Sequence, residues 1–385
     1  MFKFLNKLSI KILLFLLFFP QLIQAQLNNQ LFEDRQKMKD DSRNQIFFHF
    51  NNLNFLRNNE YFNPVVSGET LFGYQVSPTF VYYPSQYLRL EGGVFAWQNF
   101  GNNKYTRISP IFSLKYKKDS TSVVFGNIEA HFNHRLTEPM YAFERVITNH
   151  LESGLQIQHH KKWIFFDTWI DWQRATQRSA VFQEELFAGV VSNFYPVNNE
   201  HFRIEIPVHA TVFHQGGQDL AIPLPSRSHI NALSGLNFHW INNPNNMIKR
   251  VRLDNYYVFS KSEILSSDSL NISEQSGSGL YHNLSLDSKW INFMASLWIG
   301  DKYNSIQGGE LYRSFPVDRK GTFQQRRELL FLRFMKNMRL LPDLNFILRF
   351  EPYIDLKLNT IEYSFGFYMT YRPSFLIAKI GKKDN

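Results

Sequence analysis

Strict alternation of apolar and polar side chains, repeated in one long segment after another, is the feature that most constrains this chain. The segment HFRIEIPVHATVF, residues 201–213, is typical, since Phe202, Ile204 and Ile206 alternate with Arg203 and Glu205. A period of two places the two sets on opposite faces of a β-strand. The segment is twice as long as the usual strand of about 5 to 6 residues, so its apolar and polar faces are both long.

The same pattern recurs from about residue 45 onward and predicts about sixteen strands. Other examples are LRLEGGVFAW at 88–97, VFGNIEAHFN at 124–133, FILRFEPYIDLK at 346–357 and IEYSFGFYMTYR at 361–372. Within 124–133 we expect Val124 on the apolar face and Glu129 and His131 on the polar face. An even number of strands returns both chain ends to one side, as bacterial outer-membrane barrels require.

The predicted links between strands alternate in length. Short links such as PSQ at 84–86 and LLPD at 340–343 contain the Pro, Asp and Ser residues typical of hairpin turns. The other set is mostly longer and includes RLTEPMYAFERVIT at 135–148 and the stretch 301–324, although GNNK at 101–104 and a hairpin near Asn359 are short. Short periplasmic turns and long external loops are typical of outer-membrane barrels.

The apolar faces are predicted to point outward into lipid, because a barrel of about sixteen strands is too wide for side chains to fill. A closed ring also pairs every backbone N–H and C=O, which strands in hydrocarbon require. A soluble β-protein with an aromatic core is the alternative. Aromatic residues near the predicted strand ends favour interfacial girdles; they are Tyr82, Tyr83, Tyr87, Trp163, Trp290, Tyr368, Tyr371 and Phe375.

The N-terminus predicts export. Three lysines precede an apolar run that ends near Ile23, and Ala25 follows, so residues 1–25 are predicted to be a cleaved signal peptide. A membrane anchor is the alternative, but the run is shorter than the ~20 residues a helix needs to cross a bilayer. Residues 26–44 are interpreted as a periplasmic N-terminal extension and 374–385 as a periplasmic C-terminal tail.

Composition excludes several classes of protein. The chain has no cysteine, which excludes disulfides, thiolate metal sites and a lipidated N-terminal cysteine. The formal net charge of +9 is mild for 385 residues, and no Lys/Arg stripe suggests a nucleic-acid partner. No later stretch has the 18 consecutive apolar residues that indicate a membrane-spanning helix.

With these features, residues 45–373 resemble bacterial outer-membrane β-barrels of porin-like type. The resemblance implies an all-β, antiparallel up-and-down barrel of about sixteen strands in the outer membrane of a Gram-negative bacterium. It also implies contact with outer-membrane lipid and lipopolysaccharide, and a homo-oligomer or a cell-surface partner bound through the long outer loops. We expect no cofactor and no metal. The final strand is followed by further residues, whereas many such barrels end directly on an aromatic residue.

The polar faces are expected to line the lumen, either as a mixed-charge constriction that selects solutes or as a plain polar lining. The pore-lining candidates are Arg89, Glu91, Glu129, His131, Asp167, Asp171, Arg203, Glu205, His209, Arg252, Asp254, Arg349 and Glu351. The loop at 135–148 is too apolar for a freely solvated loop, and it is expected to fold inward, to pack on the rim or to bind a partner. Its constriction or partner candidates are Arg135, Glu138, Tyr141, Glu144 and Arg145.

A hydrolytic site is the weaker expectation. His residues lie with acids in EAHFNHRLTEP at 129–139 and in HATVFHQGGQD at 209–219, but no G-x-S-x-G or H-E-x-x-H motif is present. His159 and His160 belong to a predicted turn and face opposite ways, which disfavours a metal pair.

Three functions therefore remain open. The first is a porin-like channel for small hydrophilic solutes, which is not an enzyme. The second is a barrel that anchors a secretion, surface-assembly or adhesion system. The third is an outer-membrane hydrolase that uses the neighbourhood of His131 or His209.

Overall fold

The computed structural model describes residues 29–32, 42–217, 224–243, 245–265, 272–317 and 321–380. The predicted signal peptide and most of the predicted N-terminal extension lie outside these residues. Within them, no helix is both long and apolar enough to cross a membrane.

Sixteen antiparallel strands of the described chain form one closed barrel, which confirms the predicted fold class. Their bounds are β1 Gln45–Glu60, β2 Thr70–Ser85, β3 Leu88–Asn99, β4 Arg107–Lys118, β5 Thr121–Asn127, β6 Ser153–Lys161, β7 Ile164–Arg174, β8 Glu184–Asn198, β9 Phe202–Gly216, β10 Ser226–Ile241, β11 Ile248–Leu265, β12 Ile272–Ser288, β13 Asn292–Asp301, β14 Arg326–Leu341, β15 Leu344–Asp355 and β16 Thr360–Tyr371.

The first strand closes the ring because both of its edges are paired. One edge pairs with β2, and the other pairs with β16 over residues 52–60. The segment Ser374–Lys379, β17, follows β16 and pairs with residues 45–49 of the same edge. This segment falls in the stretch interpreted from the sequence as a C-terminal tail, and it instead extends the closing seam.

The apolar face of each strand points away from the lumen. In β9, Ile206 and Val208 are 37% and 47% exposed, whereas the alternating Pro207 and His209 face inward and are buried. The outward apolar set also includes Phe80, Phe112, Phe125, Ile170, Phe350 and Ile361. A polar interior and an apolar exterior are the inverse of a soluble core and are typical of a barrel surrounded by lipid.

The predicted strand at 124–133 is wrong in both phase and length. Val124 is fully buried and Phe125 is 58% exposed, so the apolar face is the one opposite to that expected. Strand β5 ends at Asn127, so Glu129 and His131 do not lie on a strand. The phase was misassigned because Val123, Val124 and Phe125 are all apolar and hide the alternation.

Two of the expected girdle aromatics also face the lumen. Tyr83 and Tyr368 are buried, whereas Tyr87, Trp163 and Trp290 near the short turns are 40%, 57% and 63% exposed. The short and long links alternate around the barrel as the sequence predicts. The two longest described insertions are residues 128–152, called here the plug segment, and residues 302–325, called the cap loop.

Candidate functional site

Two paired glycines flank the plug segment, one in each of the strands that it connects. Gly126 in β5 pairs with Gly154 in β6, and their φ angles are 93° and 159°. A Cβ on Gly126 would lie 2.2 Å from the carbonyl oxygen of Phe112. Because only glycine tolerates this backbone without strain, the chain leaves the barrel wall here and turns into the lumen.

Inside the lumen the plug segment packs as an apolar core. Met140, Phe143 and Ile147 are at most 1% exposed, and α1, Arg145–Thr148, forms a single helical turn among them. Phe32, from the short 3-10 turn Asn29–Phe32, meets Phe143 edge-on with ring centroids 5.2 Å apart. Of the three arrangements left open by the sequence, the loop at 135–148 adopts the inward one.

Ion pairs join the plug segment to the barrel wall. Arg57 Nη2 lies 2.6 Å from Glu144, and Arg333 Nη2 lies 2.5 Å from Glu138. The wall carboxylate Glu351 is in turn contacted by Arg57 at 2.9 Å, by Arg333 at 3.5 Å and by Arg349. All the charges of this cluster are at least partly buried, so each one depends on its partners to offset the loss of water.

His134 fastens the plug segment at a second point. Its Nδ1 lies 2.8 Å from Asp167 of β7 and its Nε2 lies 3.0 Å from Glu152. Burial lowers the pKa of His134, but the two carboxylates outweigh burial and raise it to about 9. With the imidazole charged and both nitrogens engaged, His134 is unsuited to be a general base and is a structural link.

The ring of His131 is also held inside the plug segment. Its Nε2 donates to the carbonyl oxygen of His150 at 2.8 Å, and its Nδ1 lies 3.2 Å from the Tyr141 hydroxyl. Tyr141 donates to Glu152, which connects the ring to the His134 link. Burial lowers the pKa of His131 to about 3, so this histidine is neutral and belongs to the interior packing of the plug segment.

The cap loop covers the plug segment. The N–H of Ala142 donates to the carbonyl oxygen of Gln307 at 2.8 Å, and the Tyr303 hydroxyl donates to the carbonyl oxygen of Pro139 at 3.0 Å. Tyr312, in the 3-10 turn Glu310–Tyr312, donates to Glu138 at 2.8 Å. The two insertions thus divide the barrel interior into an outer pocket and a lumen cavity.

The outer pocket lies between the cap loop, the plug segment and the link from β1 to β2, and its volume is about 320 Å³. Arg57, Arg145, Arg313 and Arg333 contribute cations, and Val66, Ile306, Leu311 and Phe331 contribute apolar surface. Glu69 is exposed at the edge of the pocket, but partial loss of water raises its pKa, Glu144 raises it further and Arg57 lowers it; the net direction makes Glu69 a stronger base than an isolated carboxylate.

The lumen cavity lies on the other side of the plug segment and has a volume of about 240 Å³. Nine of the sequence-predicted residues line it, six from strands and three from the plug segment. From the strands these are Arg203, Glu205, His209, Arg252, Asp254 and Arg349, and from the plug segment they are Arg135, Glu138 and Tyr141.

The remaining predicted residues are distributed elsewhere. Arg89 and Glu91 of β3 and Glu129 and His131 of the plug segment line a smaller hollow against the wall. Glu129 pairs with Lys115 at 2.5 Å. Asp171 of β7 accepts from the N–H of Ser153 at 2.7 Å. The proposed partner of His209 at Asp219 lies outside the described residues.

Several residues that matter here escaped sequence reasoning. They are Arg57, Glu152, Asn193, His239 and Arg333. The alternation does place Arg57, Asn193, His239 and Arg333 on lumen faces, but Glu152 lies on no strand. The partners of Arg57 and Arg333 in the plug segment are many strands away in the sequence. Among the described residues, no group of three or more His, Cys, Asp or Glu is arranged to hold a metal ion.

A closed sixteen-stranded barrel with a polar interior and an apolar exterior defines a bacterial outer-membrane β-barrel, here with two insertions folded into the lumen. The chain belongs to the lipid A 3'-O-deacylase-type family, whose model matches residues 38–380. That family is a family of enzymes, so the prediction that this protein is not an enzyme is wrong. The channel hypothesis rested on the barrel architecture, which enzymes and channels share.

Among solved structures, the chain is similar to three outer-membrane proteins. OccAB3 of Acinetobacter baumannii is 11% identical, with a TM-score of 0.44 over 86% of this chain and 99% of that one. A loop L8 deletion mutant of OmpT of Vibrio cholerae is 8% identical, with a TM-score of 0.47 over 85% and 99%. OprD of Pseudomonas aeruginosa is 11% identical, with a TM-score of 0.42 over 90% and 98%. The chain has no match among the curated proteins.

Proposed function

We propose that this protein hydrolyses an ester-linked acyl chain of a glycolipid of the lipid A class in the outer membrane. The observation that carries the proposal is the match of the deacylase family model to residues 38–380, nearly the whole barrel. Of the three functions left open by the sequence, we therefore prefer the hydrolase. We place its active site away from His131, which is buried in the plug segment.

The outer pocket is the site whose chemistry best supports this reaction. The long links lie at its end of the barrel, which is the external side in outer-membrane barrels, where the glycolipid resides. Arginines such as Arg145 and Arg313 suit a phosphorylated headgroup, because guanidinium binds phosphate through paired donors. Apolar residues such as Ile306 and Leu311 in the same pocket suit an acyl chain.

In the proposed reaction Glu69 takes a proton from a water molecule, and the water oxygen attacks the ester carbonyl. The C–O bond to the sugar then breaks, and the sugar oxygen takes up the proton, so that a fatty acid and a free hydroxyl result. An arginine of the pocket stabilises the oxyanion of the tetrahedral intermediate. Glu144 is a positioning residue, because its charge raises the pKa of Glu69.

Mass spectrometry of lipid A tests the proposal. Cells of a Gram-negative host that express the chain should contain lipid A with one ester-linked acyl chain fewer than cells with an empty vector. Glu69→Gln should lower the rate of acyl release with purified protein by about a hundredfold or more, since a general base typically contributes that much.

The matched control is Glu328→Gln. Glu328 also lies at the outer end of the barrel, but it pairs with exposed Arg326 at 2.7 Å and does not line the pocket. Its variant should keep full activity. Unchanged lipid A in cells that contain folded wild-type barrel would contradict hydrolysis. Activity that survives Glu69→Gln would instead remove Glu69 and the outer pocket from the reaction.

A further inference from the structure

Two rows of polar side chains cross the wall of the lumen cavity in register. In the first row, Arg203 of β9 pairs with His239 of β10, which pairs with Arg252 of β11. In the second row, two residues further along, Glu205 pairs with Asn237 and Asn237 with Asp254. Directly opposite residues on one face of a sheet have Cβ atoms about 5 Å apart, so each row is continuous.

Three arginines of this cavity have no ion pair among the described residues. Arg135 donates to the Tyr195 hydroxyl at 2.8 Å and stacks on Phe165, and Arg203 donates to Asn198 at 2.9 Å. The Nη2 of Arg252 is buried without any hydrogen-bond partner in the described chain. Arginines left in this state are suited to bind an oxyanion from solution.

Two acceptors beside these donors are also unpartnered. His209 is 3% exposed, and its Nε2 lies 2.6 Å from Asn193 Oδ1. Because an amide oxygen can only accept, that nitrogen carries the proton and Nδ1 carries a lone pair. Nδ1 of His209 has no hydrogen-bond partner within the described residues, and Oδ1 of Asp254, which is 2% exposed, lies 3.6 Å from His239 Nε2, beyond hydrogen-bond distance. They need hydroxyl or amine donors.

The entrance to the cavity carries more basic than acidic side chains, although Arg250 pairs with Asp287 at 2.5 Å. Arg203 and Arg250 lie near the first residues of β9 and β11, beside short turns, so the cavity lies toward the periplasmic end of the barrel. A neighbouring hollow shares Arg135, Tyr195 and Arg203 with the cavity and reaches the turn at Lys161 and Lys162. Such an entrance attracts anions.

We propose that the lumen cavity binds a phosphorylated sugar that enters from the periplasmic side. Arg252 and Arg203 bind the phosphate, and His209 and Asp254 accept hydrogen bonds from sugar hydroxyls. A neutral sugar would leave the arginines unpaired, and inorganic phosphate would leave the two acceptors unpaired. The proposal is independent of the hydrolysis proposed above, since the plug segment separates the two sites.

Equilibrium binding to the purified full barrel in detergent tests the proposal. Calorimetric titration with D-glucose 6-phosphate should give a dissociation constant at least tenfold lower than titration with D-glucose or with inorganic phosphate. Arg252→Met and Arg203→Met should each weaken the binding of the two phosphate-bearing ligands at least tenfold. Asp254→Leu removes both acceptor oxygens and should remove most of the preference for the sugar phosphate over inorganic phosphate.

Arg326→Met is the matched control, because Arg326 is exposed at the outer end and pairs with Glu328. It should bind like the wild type. Equal affinity for all three ligands, or unchanged binding in both arginine variants, would overturn the proposal. Competition by lipid A micelles then separates two sources of the same chemistry: displacement of D-glucose 6-phosphate indicates a glycolipid headgroup, and no displacement indicates a free sugar phosphate.

Discussion

The outer pocket and the lumen cavity share the plug segment as a wall, and two pairs of arginines around them differ in their partners. Around the outer pocket, Arg57 and Arg333 are bound by carboxylates of the plug segment and of β15. In the lumen cavity, Arg203 and Arg252 have no carboxylate within ion-pair distance in the described chain. The first arrangement stabilises the position of the plug segment, and the second leaves charge available to a ligand.

Deleting the part of the plug segment that separates the outer pocket from the lumen cavity should have the largest effect, which is on conductance. Replacing residues 135–148 by a short Gly-Ser linker removes Met140, Phe143 and Ile147 and the carboxylates that hold the plug segment. Barrels of sixteen strands that lack a plug enclose an aqueous channel, so single-channel conductance in a planar bilayer should rise at least about tenfold. Equal conductance before and after the deletion would show that the plug segment does not close the lumen.

Removing one arginine from each compartment should separate their roles. Arg333→Met leaves Glu138 without an ion-pair partner and removes one of the three arginines that contact Glu351, and breaking a buried ion pair costs about 3–5 kcal/mol of unfolding free energy. In Arg252→Met no carboxylate loses an ion-pair partner, so the free energy of unfolding should change by no more than about 1 kcal/mol. Urea unfolding of the refolded barrels in micelles measures both. Similar losses in the two variants would contradict the contrast between the compartments.

The contacts that hold the plug segment at His134 and Glu152 should weaken both at high pH and at very low pH. The pKa of His134 is raised from its ordinary value of 6.5 to about 9, so its contribution is complete below pH 6.5 and is lost as the pH rises through 9. That contribution is at most about 3 kcal/mol. Burial raises the pKa of Glu152, but His134 outweighs it and lowers the pKa to about 2. The Glu152 contribution is therefore present above pH 4.5 and is lost as the pH falls through 2.

Conductance and urea midpoints recorded from pH 6 to pH 10 test the upper window. His134→Leu should remove the pH dependence in this range, because the titrating group is gone. A wild-type profile that stays flat from pH 6 to pH 10 would rule out the charged His134 link.

The barrel was predictable from the sequence because its determinant is local. A period of two decides which residues face lipid, and Arg203, Glu205 and His209 were assigned to the lumen from that rule alone. The plug segment was not predictable in the same way. Its alternating pattern at Ile128–Asn133 resembles that of a strand, and the glycines that end the wall, Gly126 and Gly154, are separated by the whole insertion.

The candidate sites depend on long-range pairing, which a single sequence does not contain. The partners Arg57 and Glu144 lie on opposite sides of four strands, and Arg333 and Glu138 lie still further apart in the chain. Loop composition did indicate that 135–148 would not be freely solvated. The activity class came from the family, because no catalytic motif of recognisable spacing is present in the chain.

The contact between the plug segment and the cap loop has a consequence for the order of assembly. Ala142 and Gln307 are joined by a backbone hydrogen bond, so the plug segment cannot reach its final position until β13 and β14 have both been inserted. Contacts between residues this distant in the chain form late, since the intervening chain must first be ordered. A nascent barrel of this kind therefore passes through a stage in which the cap loop does not yet hold the plug segment, and that stage ends only when the last quarter of the chain is in place.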